Sequence, residues 1–385
     1  MMRSLLLSST FVLALASSCT AGLLGREYHV KRSIPHDGQY IDVNAQNNAT
    51  EWWWVQAGAP AEEGGSPPSL HITFYQGYPL SPLREAAGGA NAPEFYIVLN
   101  GAFPNGTVFA YTLPASSSSV TNVGEAVTGS WPGAGSFQNT ADLSTFTVTL
   151  DAPEQGVSGT LSISSNGPGH FGCNTTSSAY FESAIPAGAE LNAAEEIFYK
   201  QLGWATSQPG GAALVDVTLG GDRLQFAGQG YHDANWMPQP IDAFMDDWYF
   251  FDAQVGPFDL SAVYAAITGA TRQFTTGFLE QSGAILQNQC SVQGSREADF
   301  VAITPYGLAV DEAFQMNVME GFILEYTLKN GDQYLFNLTG QSLVLDQPIY
   351  HRWVGSAVGG KVGGQQYTGV AMYDWLNPSL TPYNG

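Results

Sequence analysis

The stretch from Gly228 to Phe258 carries the densest set of side chains able to do chemistry. It holds Gly230-Tyr-His-Asp-Ala-Asn-Trp236 and, further on, Phe244-Met-Asp-Asp-Trp-Tyr249. His232 beside Asp233 has the make-up of a tuned acid–base pair, because a neighbouring carboxylate raises a histidine into the working pH range. Tyr231 and Asn235 add hydrogen-bond donors, and Trp236, Trp248 and Tyr249 add aromatic surface. A second cluster, Glu51-Trp-Trp-Trp54, supplies Trp52 and Trp54. Taken alone, a His-Asp pair in a loop is more often structural than catalytic, and a tryptophan cluster is more often core than pocket. If both clusters wall one cavity, the apolar faces and the polar edges of these rings are used together. The Tyr231–Trp236 turn and the Trp52–Trp54 strand are therefore expected to share a cavity. His232 is expected at its rim, with one ring nitrogen oriented by Asp233 or a backbone group and the other free for substrate.

Short strands must position these clusters. His71–Tyr75, Phe95–Leu99, Thr107–Leu113, Phe146–Leu150 and Gly159–Ser164 alternate apolar and polar residues between turn residues. So do Trp248–Val255, Phe322–Leu328, Gln333–Asn337 and Tyr367–Tyr373. Lys329-Asn-Gly-Asp332 predicts a hairpin turn, since Asn-Gly tolerates the positive φ of tight turns. Helix is expected only at Leu191–Leu202 and Ser261–Ile267. The Gly/Ser/Pro-rich segments 58–69, 86–93 and 355–366 read as connectors. The fold class is all-β, a barrel or sandwich, and the first half is expected to end between 260 and 275.

Composition narrows the function. Of 385 residues, 34 are Asp or Glu and 12 are Lys or Arg, a net charge of −22 that leaves no basic footprint for nucleic acid. Charged residues make up 12% against a usual ~25%, with 44% hydrophobic, which excludes disorder. Residues 1–21 have the charged start, apolar run and small-residue end of a signal peptide, followed by a dibasic Lys31-Arg32. No later apolar run approaches ~20 residues, so stable membrane insertion is not expected. The mature chain keeps Cys173 and Cys290, an even pair in an oxidising compartment, read as a disulfide in preference to two buried thiols. Sequons begin at Asn48, Asn105, Asn174 and Asn337, in keeping with a secreted glycoprotein.

There is no G-x-S-x-G elbow, no H-E-x-x-H and no Cys/His set with zinc spacing, so no metal site is expected. Gly355–Lys361 starts like a P-loop, but Val362 stands where the Mg²⁺-binding Ser/Thr belongs. Glu51-Trp-Trp-Trp54 and Gly230–Trp236 resemble the E-W-W and G-Y-H-D-x-N-W signatures of the carotenoid hydratase/AttH-like superfamily. Phe244–Tyr249, followed by Ala253-Gln-Val-Gly-Pro-Phe258, resembles its fungal branch, the Diels-Alderase family of polyketide–amino acid hybrid pathways; kievitone hydratase-like enzymes are similar as well. The resemblance covers most of the mature chain. It implies two lipocalin-like domains side by side, 33–265 and 266–385, with a cofactor-free pocket between or within them.

On that footing the expected activity is an intramolecular [4+2] cycloaddition of a polyene. The pocket would fold the chain into one reactive geometry and hydrogen-bond the dienophile carbonyl through His232, Asn235 or Tyr231. Decalin-forming members need not keep the His-Asp pair that this chain shares with the hydratases. The alternative is therefore hydration of a prenyl or polyene double bond, with Asp233 or protonated His232 as acid. A third reading is a non-catalytic carrier of an apolar metabolite, which does not need His232, Asp233 and Asn235 to converge. The expected partner is a small hydrophobic substrate, and the expected state a monomer that is secreted or kept in the secretory-pathway lumen.

Overall fold

The computed structural model describes residues 35–43, 48–175, 178–292, 299–307, 309–311 and 316–377. The signal peptide, Lys31-Arg32 and the Thr176 of one sequon lie outside them. Nearly every described segment is strand, and all pairings are antiparallel. The first sheet is curled and runs from the edge strand Val108–Ala115 through Phe95–Ala102, Ser69–Gln76, Thr50–Gly58 and Asp222–Met237 to Gly203–Leu219. It then returns through Val157–Ser165 and Thr145–Ala152 to the edge strand Ser119–Val123. The second sheet nearly closes into a barrel. At its centre Met245–Val255 lies between Phe258–Ile267 and Tyr367–Leu376, and Tyr350–Lys361 follows beyond the latter.

Period-2 alternation explains how each sheet fills its interior. In Thr50–Gly58 the odd residues Trp53, Val55 and Ala57 pack inside the first sheet with Phe74, Trp131 and Phe146. In Met245–Val255 the odd residues Tyr249, Phe251, Ala253 and Val255 fill the second. The opposite faces meet in a third core, where Trp54, Trp204 and Tyr231 pack with Phe250, Val263 and Phe274. Both sheets belong to one compact unit, Lys31–Gly385. Cys173 and Cys290 form the expected disulfide, Cα atoms 4.4 Å apart, joining a segment of the first sheet's side to a strand of the second. At a sequence separation of 117, loop entropy makes the bridge worth about 5 kcal/mol.

Several local expectations hold. The Lys329–Asp332 turn has Gly331 at φ +91°, and Leu328 N–H donates to Asp332 O at 2.8 Å. The helix expected over 191–202 is Ala193–Lys200, with Asn192 and Glu195 capping each other reciprocally. Others do not. Ser261–Ile267 reads as helix from its alanines, yet it is strand, because ladders on both sides override a weak local preference. Gly355–Lys361 is strand rather than connector. The Tyr231–Trp236 segment is the end of the strand Asp222–Met237, not a turn. The change of sheet falls at residues 238–244, ahead of the 265/266 division. Pro238-Gln-Pro240 cannot continue a ladder, and Met245–Val255 finds its partners in the second sheet. All four sequon asparagines are exposed.

Candidate active site

Thr50–Gly58 and Asp222–Met237 are direct antiparallel neighbours, which sets Trp54 opposite Asp233 and Trp52 opposite Asn235. These four side chains share the face turned away from the first sheet's interior. With Tyr75 and Trp204 they form one wall of a cavity, and Trp248, Phe250, Tyr350, Asp374 and Leu376 of the second sheet form the other. Pro79, Leu80, Leu83, Ile241 and Met245 complete it, the first two just ahead of the short helix Ser81–Ala86 and Leu83 within it. The cavity and its opening hold about 800 Å³ of empty space, and its lining is overwhelmingly apolar. That lining is the character of a small-molecule site.

Two carboxyl groups stand in this apolar wall. Asp233 Oδ2 accepts from Trp204 Nε1 at 2.9 Å and from the Tyr231 hydroxyl at 2.8 Å, while its Oδ1 is buried without a partner. Burial pushes Asp233 up to about 7 against these hydrogen bonds and the charge of His232, and Asp374 adds to the rise. Asp374 is pushed up to about 6, again by burial, opposed by Arg352 and the Tyr350 hydroxyl, which donates to its Oδ2 at 2.8 Å. Asp233 can therefore hold a proton near neutral pH and offer it from Oδ1, and Asp374 can take one. A carboxylic acid kept neutral in a dry pocket is suited to general acid catalysis. Among the described residues no three His, Cys, Asp or Glu side chains are grouped to hold a metal ion.

The structure brings Trp52, Trp54, Asp233, Asn235 and Trp248 together and takes the other expected residues elsewhere. His232, on the opposite face of its strand from Asp233, is fully buried against Phe146 and has no ring nitrogen free for substrate. Its Nδ1 donates to Trp54 O at 2.6 Å and its Nε2 to Asp37 Oδ1 at 3.0 Å. Both ring nitrogens are thus engaged within the protein, one by a backbone carbonyl and one by the Asp37 carboxyl. Asp233 does not orient it. Burial works to raise Asp37, but His232 and the Asn139 amide outweigh it and hold the carboxyl below its ordinary range.

Trp236 also faces away from the cavity and stacks on Tyr40 with centroids 3.9 Å apart. Tyr249 sits in the second sheet's interior, one residue out of phase with Trp248. Tyr231 touches the site only through its hydrogen bond to Asp233 and its ring against Phe250. Glu51 is likewise structural, accepting the backbone N–H groups of Tyr40 and Ile41 at 2.9 and 3.1 Å. Sequence reasoning missed Trp204, Asp374, Tyr350 and Arg352. A lone Asp in Ala371-Met-Tyr-Asp-Trp-Leu376 and a lone Arg in His351-Arg-Trp-Val354 were the available signals, since buried charge within an apolar strand needs a reason.

Residues 68–379 match the Diels-Alderase-like family, so the resemblance seen in the motifs extends over most of the chain. The quinolone epoxide rearrangement protein penF of Penicillium thymicola is 28% identical over 337 residues, 85% of either chain. A second quinolone epoxide rearrangement protein, asqO of Emericella nidulans, is 27% identical over 335 residues, 85% of this chain and 83% of its own. The crystal structure of CghA with Sch210972 superposes with a TM-score of 0.68 at 20% identity, covering 93% of this chain and 98% of that one. That likeness shows the fold, and with it the lipocalin-like class.

Proposed function

The chain belongs to the Diels-Alderase-like family, and from that premise we propose that it is an enzyme that isomerises an apolar, ring-bearing metabolite by acid-promoted epoxide rearrangement. The observation that carries this reading is Asp233: a buried carboxyl pushed up to about 7, with Oδ1 unpartnered, in the wall of an aromatic cavity. Protonated Asp233 donates to the epoxide oxygen as the C–O bond breaks. The electron-rich faces of Trp52, Trp204 and Trp248 stabilise the carbocation, and the apolar walls keep water from capturing it. A neighbouring group or ring carbon then migrates, the new hydroxyl loses its proton to a carboxylate, and a carbonyl isomer of equal mass results. Asp374, pushed up only to about 6, is the group to receive that proton.

The [4+2] cycloaddition remains the second reading, favoured by the family itself. The same cavity would fold a polyene, and Asp233 would serve as a hydrogen-bond donor rather than as a proton source. Asp233→Asn separates the two, because the amide still donates a hydrogen bond but cannot release a proton. Incubation with an aryl-substituted epoxide is expected to give an isomer of equal mass with the native protein and none with Asp233→Asn. Persistence of the activity in that variant moves the assignment to cycloaddition, and a gain of one water moves it to hydration. Secretion and glycosylation complete the proposal, and a glycosidase-induced mobility shift of the natural protein tests them.

A further inference from the structure

We propose that Arg352 is the positioning residue for the proton-accepting half of the site, fixing Asp374 and Tyr350 as the base of the cavity and so dividing the labour between its two carboxyls. The inference rests on the rearrangement reading for what Asp374 accepts; the placement of Arg352 stands by itself. Arg352 lies directly opposite Asp374 in paired strands, and Tyr350 opposite Leu376 is the next pair on the same face. Tyr350, Asp374 and Leu376 line the cavity, and Arg352, 2% exposed, stands behind them. Its Nη2 donates to the Tyr350 hydroxyl, that hydroxyl donates to Asp374 Oδ2 at 2.8 Å, and Nε lies 3.7 Å from the same oxygen. Asp233 differs: its hydrogen bonds come from the neutral donors Trp204 and Tyr231.

The far side of the guanidinium grips the first sheet. Nη1 donates to Asn100 Oδ1 at 2.7 Å, across 252 positions of sequence, and the guanidinium carbon lies 4.0 Å from the centroid of the Trp54 ring on the opposite wall. One rigid, permanently charged fork thus ties both walls together and keeps Asp374 in register with them. A buried cation needs a counter-charge, and Asp374 is the carboxylate it meets. The titratable groups facing this pair are Tyr350, His71 and Tyr75 of Ser69–Gln76, and Asp233. Burial and Arg352 keep His71 neutral, burial keeps Tyr75 protonated, and Asp374 helps to keep the proton on Asp233. Arg352 is the charge that favours an ionised Asp374, supported by the Tyr350 hydrogen bond. In the rearrangement the hydroxyl proton passes to Asp374 as the carbonyl forms, which balances the proton given by Asp233. Exchange with water after product release restores both carboxyls.

The test sets Arg352→Gln beside Arg352→Lys, with folding checked by thermal melting. Without the guanidinium Asp374 can neutralise itself by taking a proton, so the glutamine variant is expected to fold. Infrared titration of the carboxyl C=O band that disappears in Asp374→Asn reads this side chain without turnover. It should ionise at about pH 6 in the native chain and about one to three pH units higher in Arg352→Gln. The acid limb of kcat should move by the same amount, with KM little changed. Arg352→Lys keeps the charge but cannot hold Asn100, Tyr350 and Asp374 at once. Its acid limb should stay in place while kcat falls about 10²-fold. An unmoved titration in Arg352→Gln, a loss equal at every pH, or a full rate in Arg352→Lys overturns the proposal. If Arg352→Gln does not fold, the lysine variant decides alone. The infrared readout needs no turnover, so an Asp233→Asn variant that stays active would break the rearrangement chemistry while leaving this result standing.

Discussion

His232 and Asp233 are neighbours in one strand and live in opposite worlds. On one face, His232 enters a knot in which every polar group has a partner. Asp37 accepts from His232, from the Asn139 amide and from Ser207 Oγ, while Gln208 donates to Asn139 Oδ1 at 3.0 Å and Trp53 Nε1 to Asp37 O at 2.9 Å. On the other face, Asp233 keeps one oxygen unpartnered in an apolar cavity. The knot lowers its carboxyl and the cavity raises its own, although both are fully buried. The difference teaches that burial alone does not set the role of a titratable group. A complete set of partners makes an ionised brace, and an incomplete set leaves a carboxyl raised towards neutral pH.

The largest effect expected is on catalysis. Asp233→Asn should lower the rate by about 10²–10⁴-fold, the usual worth of a general acid, with the melting temperature unchanged or higher. His232→Ala should do the reverse. It strands the Asp37 carboxylate in the interior, which costs about 3–5 kcal/mol of stability by denaturant titration, while the rate per folded molecule stays within a few-fold. A large rate loss in folded His232→Ala would erase the distinction between the two faces.

Acidity sharpens the contrast. Turnover should fall as pH rises through about 7, where Asp233 loses its proton. Stability moves in opposite senses at the two sites. Asp233 is raised above its ordinary 3.8, so its contribution is full below that value and is lost as pH climbs from there towards 7. Asp37 is lowered, so its contribution is present above the ordinary value and is lost as pH falls through the lowered one. Stability curves measured between pH 4 and 7 for the native chain and Asp233→Asn should therefore diverge with rising pH in favour of the variant. The smallest effect is Ser207→Ala, which removes one donor to Asp37 and should cost about 1.5 kcal/mol with no change in rate.

What the residues alone determined is considerable: an all-β chain, a paired Cys173 and Cys290, and a family resemblance that placed Trp52, Trp54, Asp233, Asn235 and Trp248 at one site. Composition, alternation and cysteine count are local or global sums, and they survive without knowledge of contacts. Which face each residue takes is another matter. In a strand one step in register moves a side chain to the other side of the sheet. A motif read as a turn does not reveal that His232 and Trp236 point inward while Asp233 and Asn235 line the cavity. Asp37, the partner that turns His232 into a brace, is 195 positions away in the sequence, and Trp204, Arg352 and Asp374 reach the site only because two sheets pack face to face. Solvent exclusion at that seam decided which carboxyls are raised, because it is set by tertiary packing and by no residue's identity.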